Sequence, residues 1–248
     1  MDKDKLNEAA ELISKAEHIT AFTGAGISVE SGIPPFRGKN GLWSKYDPIF
    51  LSLDYFYENS TESWKLIKEI FYDFFGQALP NYAHKGLAEL EKFGKLEAVI
   101  TQNIDNLHQE AGSLNVIEFH GTSRILACTQ CSFKYQHKEI SLVNLPPICP
   151  RCGSVLKPNF IFFGEGIPQH AYLASMFEAE NADLFIIIGT TGEVMPASLI
   201  PQIAKQNGAK ILEINTEPSN YTHELTDVFL QGKASMIMKQ LVSLLDRD

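Results

Sequence analysis

The sequence has little cysteine, little tryptophan and a deficit of positive charge. Four cysteines and two tryptophans occur in 248 residues, and 21 lysines and arginines stand against 30 aspartates and glutamates, a formal net charge of -9. Scarce basic residues disfavour a phosphate-backbone binder, because nucleic-acid affinity comes largely from clustered lysine and arginine. No stretch reaches the roughly 18 apolar residues a membrane span needs, and the first fifteen residues are charged rather than apolar, so neither a span nor a secretory leader is read. The expectation is a cytoplasmic protein with neither membrane nor nucleic acid as a partner. Repeats and low-complexity tracts are also lacking, and a 44% apolar, 21% charged composition is that of an ordinary globular chain. The acidic balance suits a lysine-bearing partner, and it is equally the usual state of a cytoplasmic protein.

What is present begins with hydrophobic period. Leu6, Ala9, Ala10, Ile13 and Ala16 recur at helical spacing, which predicts a helix over residues 4–17 covering a sheet. Residues 18–23 form a short β-branched run that breaks into Gly24-Ala25-Gly26, the pattern of a strand feeding a phosphate loop. Residues 97–102, 116–119, 184–188 and 210–214 read as further buried strands, and residues 234–245 as a closing helix. Alternation of this kind predicts an α/β fold, a Rossmann-like and mostly parallel sheet flanked by helices, with ligands beyond the strands' carboxyl ends. Two segments break it: residues 36–75, aromatic and expected to be helical, and residues 122–159, which hold every cysteine. They read as a small domain of 36–75 and 122–159 beside a large one of 1–35, 76–121 and 160–248.

Cys128-x2-Cys131 and Cys149-x2-Cys152, with seventeen residues between the pairs, is the spacing of a four-cysteine zinc site. Four thiolates fill a tetrahedral ion and leave no position for a reacting water, so one structural zinc per chain is expected. A redox dithiol would need no second pair, and a zinc-ribbon nucleic-acid module would need more basic surface than Lys134, Lys138 and Arg151 provide.

The glycine turn does not complete the dehydrogenase fingerprint, since Val29 stands where a third glycine is wanted. The loop instead runs through Ser28, Ser31, Gly32, Phe36 and Arg37, adding hydroxyls, a ring and a guanidinium able to hold a pyrophosphate and cover what lies beside it. Asn103, Asp105 and His120 each sit at or just past a predicted strand end; helix capping is the alternative reading of the first two.

GAGISVESGIPPFRG at 24–38 is similar to the cofactor-loop signature of the sirtuin family, bacterial type. The resemblance continues through Thr101-Gln102-Asn103-Ile104-Asp105-Asn106-Leu107-His108, Phe119-His120-Gly121, the cysteine pairs, Lys157-Pro158-Asn159, Phe163-Gly164-Glu165, Gly189-Thr190-Thr191-Gly192 and Asn215, in family order. It implies an NAD-dependent protein-lysine deacylase, in which NAD is consumed to give nicotinamide, O-acyl-ADP-ribose and free lysine. On that resemblance His120 is the general base, and Asn103, Ile104 and Asp105 form the carboxamide pocket. Gly24, Ala25, Gly26, Ser28, Arg37, Gln102, Gly189, Thr190, Thr191, Asn215, Glu217 and Ala234 complete the NAD contacts, with Phe36 shielding the reactive carbon. The acylated-lysine protein or peptide would lie against Phe36, His120, Ile161, Phe163, Gly164, Glu165, Glu193 and Val194, and a monomer is expected.

Two departures are visible. Pro35 stands where the family usually has aspartate, which leaves NAD glycohydrolase or mono-ADP-ribosyl transfer as an alternative, and an idle NAD-sensing module is a third reading. Sirtuins that prefer succinyl or malonyl lysine usually carry Tyr-x-x-Arg in the helical insertion; here Tyr72 is followed by Phe75, so acetyl or longer apolar acyl groups are expected. The aromatic run Phe71, Tyr72, Phe74 and Phe75 reads either as an acyl tunnel or as a helix packing its apolar face.

Overall fold

A computed structural model describes residues 2–38 and 41–245. Asp2 caps the first helix, α1 (Lys3–Lys15), by accepting from the Asp4 and Lys5 N–H groups, and Leu6, Ala9, Ala10 and Ile13 are its buried face. The helix stops two residues short of the expected end. Ala16 is extended, and the Glu17 and His18 N–H groups donate instead to the Asp183 carboxylate at 2.7 and 3.1 Å.

Six parallel strands form the main sheet: β1 (Ile19–Thr23), β2 (Leu96–Thr101), β3 (Val116–Glu118), β7 (Leu184–Ile188), β8 (Lys210–Asn215) and β9 (Val228–Gln231), in the order β3-β2-β1-β7-β8-β9. Every residue of β1 and β7 is buried, as expected of strands covered on both faces. Strand β9 was not anticipated, because four residues with one exposed end carry no period long enough to read. The faces are covered by α1, α4 (Tyr82–Lys92) and α8 (Ala234–Leu245) on one side and by α6 (Gln169–Asn181) and α7 (Ile200–Gln206) on the other. Strand order reverses between β1 and β7, so the chain leaving β1 and the chain leaving β7 part in opposite directions and open a crevice.

The expected insertions fold around a separate core. Residues 42–77 are not one helical unit: α2 (Leu53–Glu58) and α3 (Ser60–Ile67) are joined to single turns and a wide-wound segment at Lys68–Phe74. Strands β4 (Gly121–Cys128), β5 (Lys134–Gln136) and β6 (Leu156–Phe160) form an antiparallel sheet in the order β5-β4-β6. Phe50, Phe56, Trp64, Ile67 and Phe71 meet Leu126, Leu156, Phe160 and Phe162 in one apolar cluster. Trp64, fully buried, donates its indole N–H to the Leu156 carbonyl at 2.8 Å, satisfying the polar atom its burial would otherwise strand. Among the described residues no helix is long and apolar enough to cross a membrane.

Candidate active site

Strand β1 ends at Thr23 and the chain turns at once, because Gly24 and Gly26 lie against the loop that follows β7. The Gly24 N–H donates to the Ile188 carbonyl at 3.0 Å and the Gly26 N–H to the Gly189 carbonyl at 2.8 Å. A Cβ on Gly26 would lie 2.6 Å from the Gly189 Cα, and one on Gly189, which has φ +65, would lie 2.3 Å from the Ile27 nitrogen. Only bare backbone fits. Gly26→Ala is therefore expected to push the two loops apart and weaken NAD binding at least tenfold, measured by calorimetric titration; unchanged affinity would show that the close approach is dispensable.

Behind this turn, Ser28, Asn103 and Asp105 are joined by hydrogen bonds. The Ser28 hydroxyl donates to Asp105 Oδ2 at 2.7 Å and accepts from the Asn103 amide at 3.2 Å. That amide also donates to the Gly24 carbonyl at 3.2 Å, tying the segment after β2 to the glycine turn. Direction in the cluster is set from Asn81: its N–H donates to His84 Nδ1 at 3.3 Å, which leaves His84 Nε2–H to face the Ser28 oxygen at 3.3 Å. With two donors aimed at it, the Ser28 oxygen keeps its own hydrogen for Asp105. Burial pushes His84 down to about 4, and pushes His108 down as well with help from the neighbouring His84, so both imidazoles are neutral at pH 7.

Asp105 also caps a helix. Its Oδ1 accepts the Leu107 N–H at 3.0 Å at the first residue of α5 (Leu107–Ala111), one position beyond the cap residue Asn106, in line with the capping reading of Asp105. Burial pushes its carboxyl upward, opposed by the donors from Leu107, Ser28 and Asn103. The next residue, Asn106, has φ +64 and is held by Thr122, Ser123 and the Ile104 carbonyl, which fixes the turn that presents Ile104 and Asp105.

His120 follows β3 and begins the crossing to β4. Its Nδ1 lies 3.0 Å from the Gln102 carbonyl, an acceptor only, so Nδ1 carries the hydrogen and Nε2 keeps its lone pair. Burial lowers its pKa below 6.5, opposed by that hydrogen bond. The Gln102 side chain donates to Thr190 Oγ1 at 3.2 Å, and the Asn215 amide donates to the Thr190 carbonyl at 3.0 Å, so the loops after β2, β7 and β8 are bridged across the crevice. Ala25 and Ile104 line the same two turns; Thr191 and Glu217 are exposed, while Ala234 is buried at the start of α8.

Other expected site residues are placed less centrally. Phe36 packs on Trp43 with ring centroids 5.4 Å apart, and Trp43 faces Phe163 at 6.4 Å, an aromatic line from the loop to the segment after β6. Arg37 is exposed and makes no side-chain hydrogen bond or ion pair with a described residue, so this structure does not bring it to the cluster. The Ile161 N–H donates to the His120 carbonyl at 2.9 Å, and Gly164, with φ +96, is exposed. Glu193 is exposed and Val194 half-buried on the facing loop. Asn81 and the Thr23–Thr101 hydroxyl pair, which support Ser28 and the Asn103 N–H, were not singled out in the sequence. An asparagine three residues before a histidine at a helix start was the available sign for the first, since the pair forms a capping box on α4.

The four cysteines converge at one end of the antiparallel sheet. Their sulfurs lie within 4.8 Å of one another, with Cys128 and Cys152 at 3.4 Å and Cys131 and Cys149 at 3.8 Å. These separations exclude a disulfide of about 2.05 Å and match the roughly 3.8 Å edge of a tetrahedron with zinc–sulfur bonds of about 2.3 Å. Ser132 at φ +56 and Gly153 at φ +78 turn the chain after each pair, and the Gln130 and Cys131 N–H groups point at the Cys128 sulfur, each 3.4 Å away. The donor set fits one zinc ion.

The Sir2 family model matches residues 24–196. An NAD-dependent protein deacylase of Thermococcus kodakarensis is 43% identical over 250 residues, covering 96% of this chain and 94% of that protein. An NAD-dependent protein deacetylase of Pyrobaculum aerophilum is 44% identical over 241 residues, covering 96% and 94%. A solved Sir2 homolog in complex with NAD aligns with 100% of this chain and 94% of its own at a TM-score of 0.90 and 39% identity. A Sir2 enzyme with a deacetylated p53 peptide and 3′-O-acetyl ADP-ribose aligns over 96% and 98% at a TM-score of 0.88 and 36% identity.

Proposed function

The chain belongs to the Sir2 family and is an NAD-dependent protein deacylase, and we propose that Ser28, Asn103, Asp105 and His120 carry its reaction at the β1/β7 switch point. The observation behind this assignment is the state of His120. Its Nδ1 is committed to Gln102, burial favours the neutral ring, and the Nε2 lone pair remains to take a proton. NAD supplies a ribose carbon that releases nicotinamide and a ribose hydroxyl that accepts the acyl group.

On this reading the glycine turn and the start of the helical turn at Ala25–Ser31 face the diphosphate, whose charge suits a helix start. Asn103, the Ile104 backbone and Asp105 hold the carboxamide, and Ser28, whose hydrogen is already committed, keeps the Asp105 carboxylate oriented. Thr190, Thr191, Asn215, Glu217 and Ala234 take the adenosine side. Arg37 reaches the diphosphate by a loop movement, and Phe36 excludes water from the ribose carbon.

An acyl-lysine peptide adds as a strand between Gly164–Glu165 and Glu193–Val194, with Ile161, Phe163, Phe36 and His120 around the acyl-lysine. The p53 peptide bound to a related Sir2 enzyme supports a protein substrate. We keep the two-domain division, residues 1–35, 76–121 and 160–248 against 36–75 and 122–159; the small domain has its own apolar cluster, to which Ile33, Ile104, Leu107, Phe160 and Phe162 of the large domain contribute. A cytoplasmic setting remains part of the proposal; the acidic charge balance argues against a nucleic-acid partner, and no described helix is long and apolar enough to cross a membrane.

A cavity of about 490 Å³ lies beside Ile104 and Asp105, with Phe71, Tyr72 and Phe75 on one wall and the polar or charged Glu110, Arg124, His137 and Lys138 on another. Phe74, from the same aromatic run, points to solvent instead. We infer acetyl and longer apolar acyl groups from the absence of an arginine three residues after Tyr72; this cavity, walled in part by Arg124 and Lys138 and not by His120, is not assigned to the acyl chain. Mass spectrometry of the products formed from NAD with acetyl, octanoyl and succinyl peptides, and with no peptide, tests the whole reading. The expected result is O-acyl-ADP-ribose with acetyl and octanoyl peptides, at least tenfold less with succinyl, and nicotinamide release that needs the peptide. Nicotinamide released at the same rate without peptide would make the enzyme a glycohydrolase.

A further inference from the structure

Lys157 is a buried lysine, 8% exposed, in the middle of β6. Strand β6 is an edge of the antiparallel sheet, which is why it tolerates Pro158 and why main-chain carbonyls remain for a side chain to take. The Lys157 ammonium donates to the Pro158 carbonyl at 3.0 Å and the Phe160 carbonyl at 2.9 Å, and pairs with Glu165 Oε2 at 2.8 Å. Its three donors are thus all used, and it sits 4.0 Å from the centre of the Phe162 ring. Glu165 Oε2 accepts in addition the Phe162 N–H at 2.7 Å, and the Glu165 N–H returns to the Phe162 carbonyl at 3.0 Å.

The carboxylate of Glu165 is therefore turned inward, and what the turn offers outward is main chain. Phe163 is bonded through its N–H to Leu51 and through its carbonyl to Leu53, and Ile161 is bonded to the His120 carbonyl. Among the described residues nothing bonds to the Gly164 N–H or carbonyl, or to the Glu165 carbonyl. The ammonium closes a loop of chain that begins at Phe160, one residue before the contact with His120, and ends at the open edge.

We propose that Lys157 is a positioning residue for the peptide: with Glu165 it clamps the 160–165 turn so that the free Gly164–Glu165 backbone faces an incoming strand in fixed register with His120. This rests on the reading of Gly164–Glu165 as the peptide edge. The clamp acts on main chain, so it sets how firmly any acyl-lysine peptide is held and adds no side-chain preference. It touches no part of the NAD side of the crevice.

Steady-state kinetics of zinc-loaded Lys157→Met, Glu165→Gln and the double variant, with acetyl-peptide and NAD varied in turn, test it. Lys157→Met is expected to raise the peptide KM at least tenfold and leave the NAD KM within twofold. Glu165→Gln, which keeps an acceptor for the Phe162 N–H, should raise the peptide KM less. The double variant removes the unpaired carboxylate and recovers thermal stability, but its peptide KM should stay high. An unchanged peptide KM in folded Lys157→Met, or peptide and NAD KM values that rise together and return together in the double variant, would overturn the proposal. An acetyl-peptide N-methylated at the residues flanking the lysine, which lacks the N–H groups that would pair with the free Gly164 and Glu165 carbonyls, tests the underlying edge: full affinity of the wild-type enzyme for it would show that the edge reading itself is wrong.

Discussion

Replacing His120 with alanine is expected to cut acyl transfer from a peptide lysine by about 10²- to 10⁴-fold, the range for loss of a positioned general base. The structure gives the reason for a large effect. Only the Nε2 lone pair of this ring is free to act as a base, because Nδ1 is spent on the Gln102 carbonyl. The same contact predicts the pH profile. An imidazole is a base only when deprotonated, and burial lowers its pKa below 6.5. The acid limb of kcat/KM should therefore fall below that value and vanish in His120→Ala. Product formation followed by mass spectrometry from pH 5 to 9 checks both points; wild-type activity in folded His120→Ala would remove His120 from the mechanism.

Removal of zinc should be the most destructive change to the fold. Structural zinc sites in small modules bind with an apparent free energy of about 10–16 kcal/mol, as large as the whole stability of an ordinary domain, about 5–15 kcal/mol. Cys128 and Cys149 also belong to the apolar cluster that contains Trp64, Leu126 and Leu156. Chelation, or Cys149→Ser, is thus expected to unfold the antiparallel sheet and release Trp64 to water. Because Ile104 and Leu107 lie in that cluster, the Asp105 turn should loosen and deacylation fall at least tenfold. Metal analysis, Trp64 fluorescence and turnover, measured together, check this; folded and active protein holding no metal would refute it.

The predicted strands can be compared with the observed ones residue by residue. The run at 184–188 is legible because a strand buried on both faces must be continuously apolar, and it is; 210–214 reads as a strand despite Glu213, whose buried carboxylate is satisfied by the hydroxyls of Ser219, Thr222 and Thr226. Strand β9 was too short to read, and the helix over 4–17 ended early because Asp183, distant in sequence, captures the N–H groups that would have extended it. The aromatic run at 71–75 is ambiguous for a different reason: period alone does not tell a wall facing a cavity from a wall facing a core, and Phe71 and Phe75 do both, packing in the apolar cluster while bordering the cavity, whereas Phe74 points to solvent.

Sequence alone determined the chemistry available to this protein. Local spacing sufficed for that, since a glycine turn after a strand, cysteines paired with two residues between them and a histidine at a strand end are each recognisable from neighbours along the chain. The tertiary structure decided which atoms are left to react. It turned the Ser28 hydrogen toward Asp105, spent one nitrogen of His120 on Gln102 and the other on nothing, drew the Glu165 carboxylate inward to Lys157, and left Arg37 outside the cluster. Those outcomes depend on partners from 8 to 77 positions away, and hydrogen-bond direction is a property of the assembled network that no single segment contains.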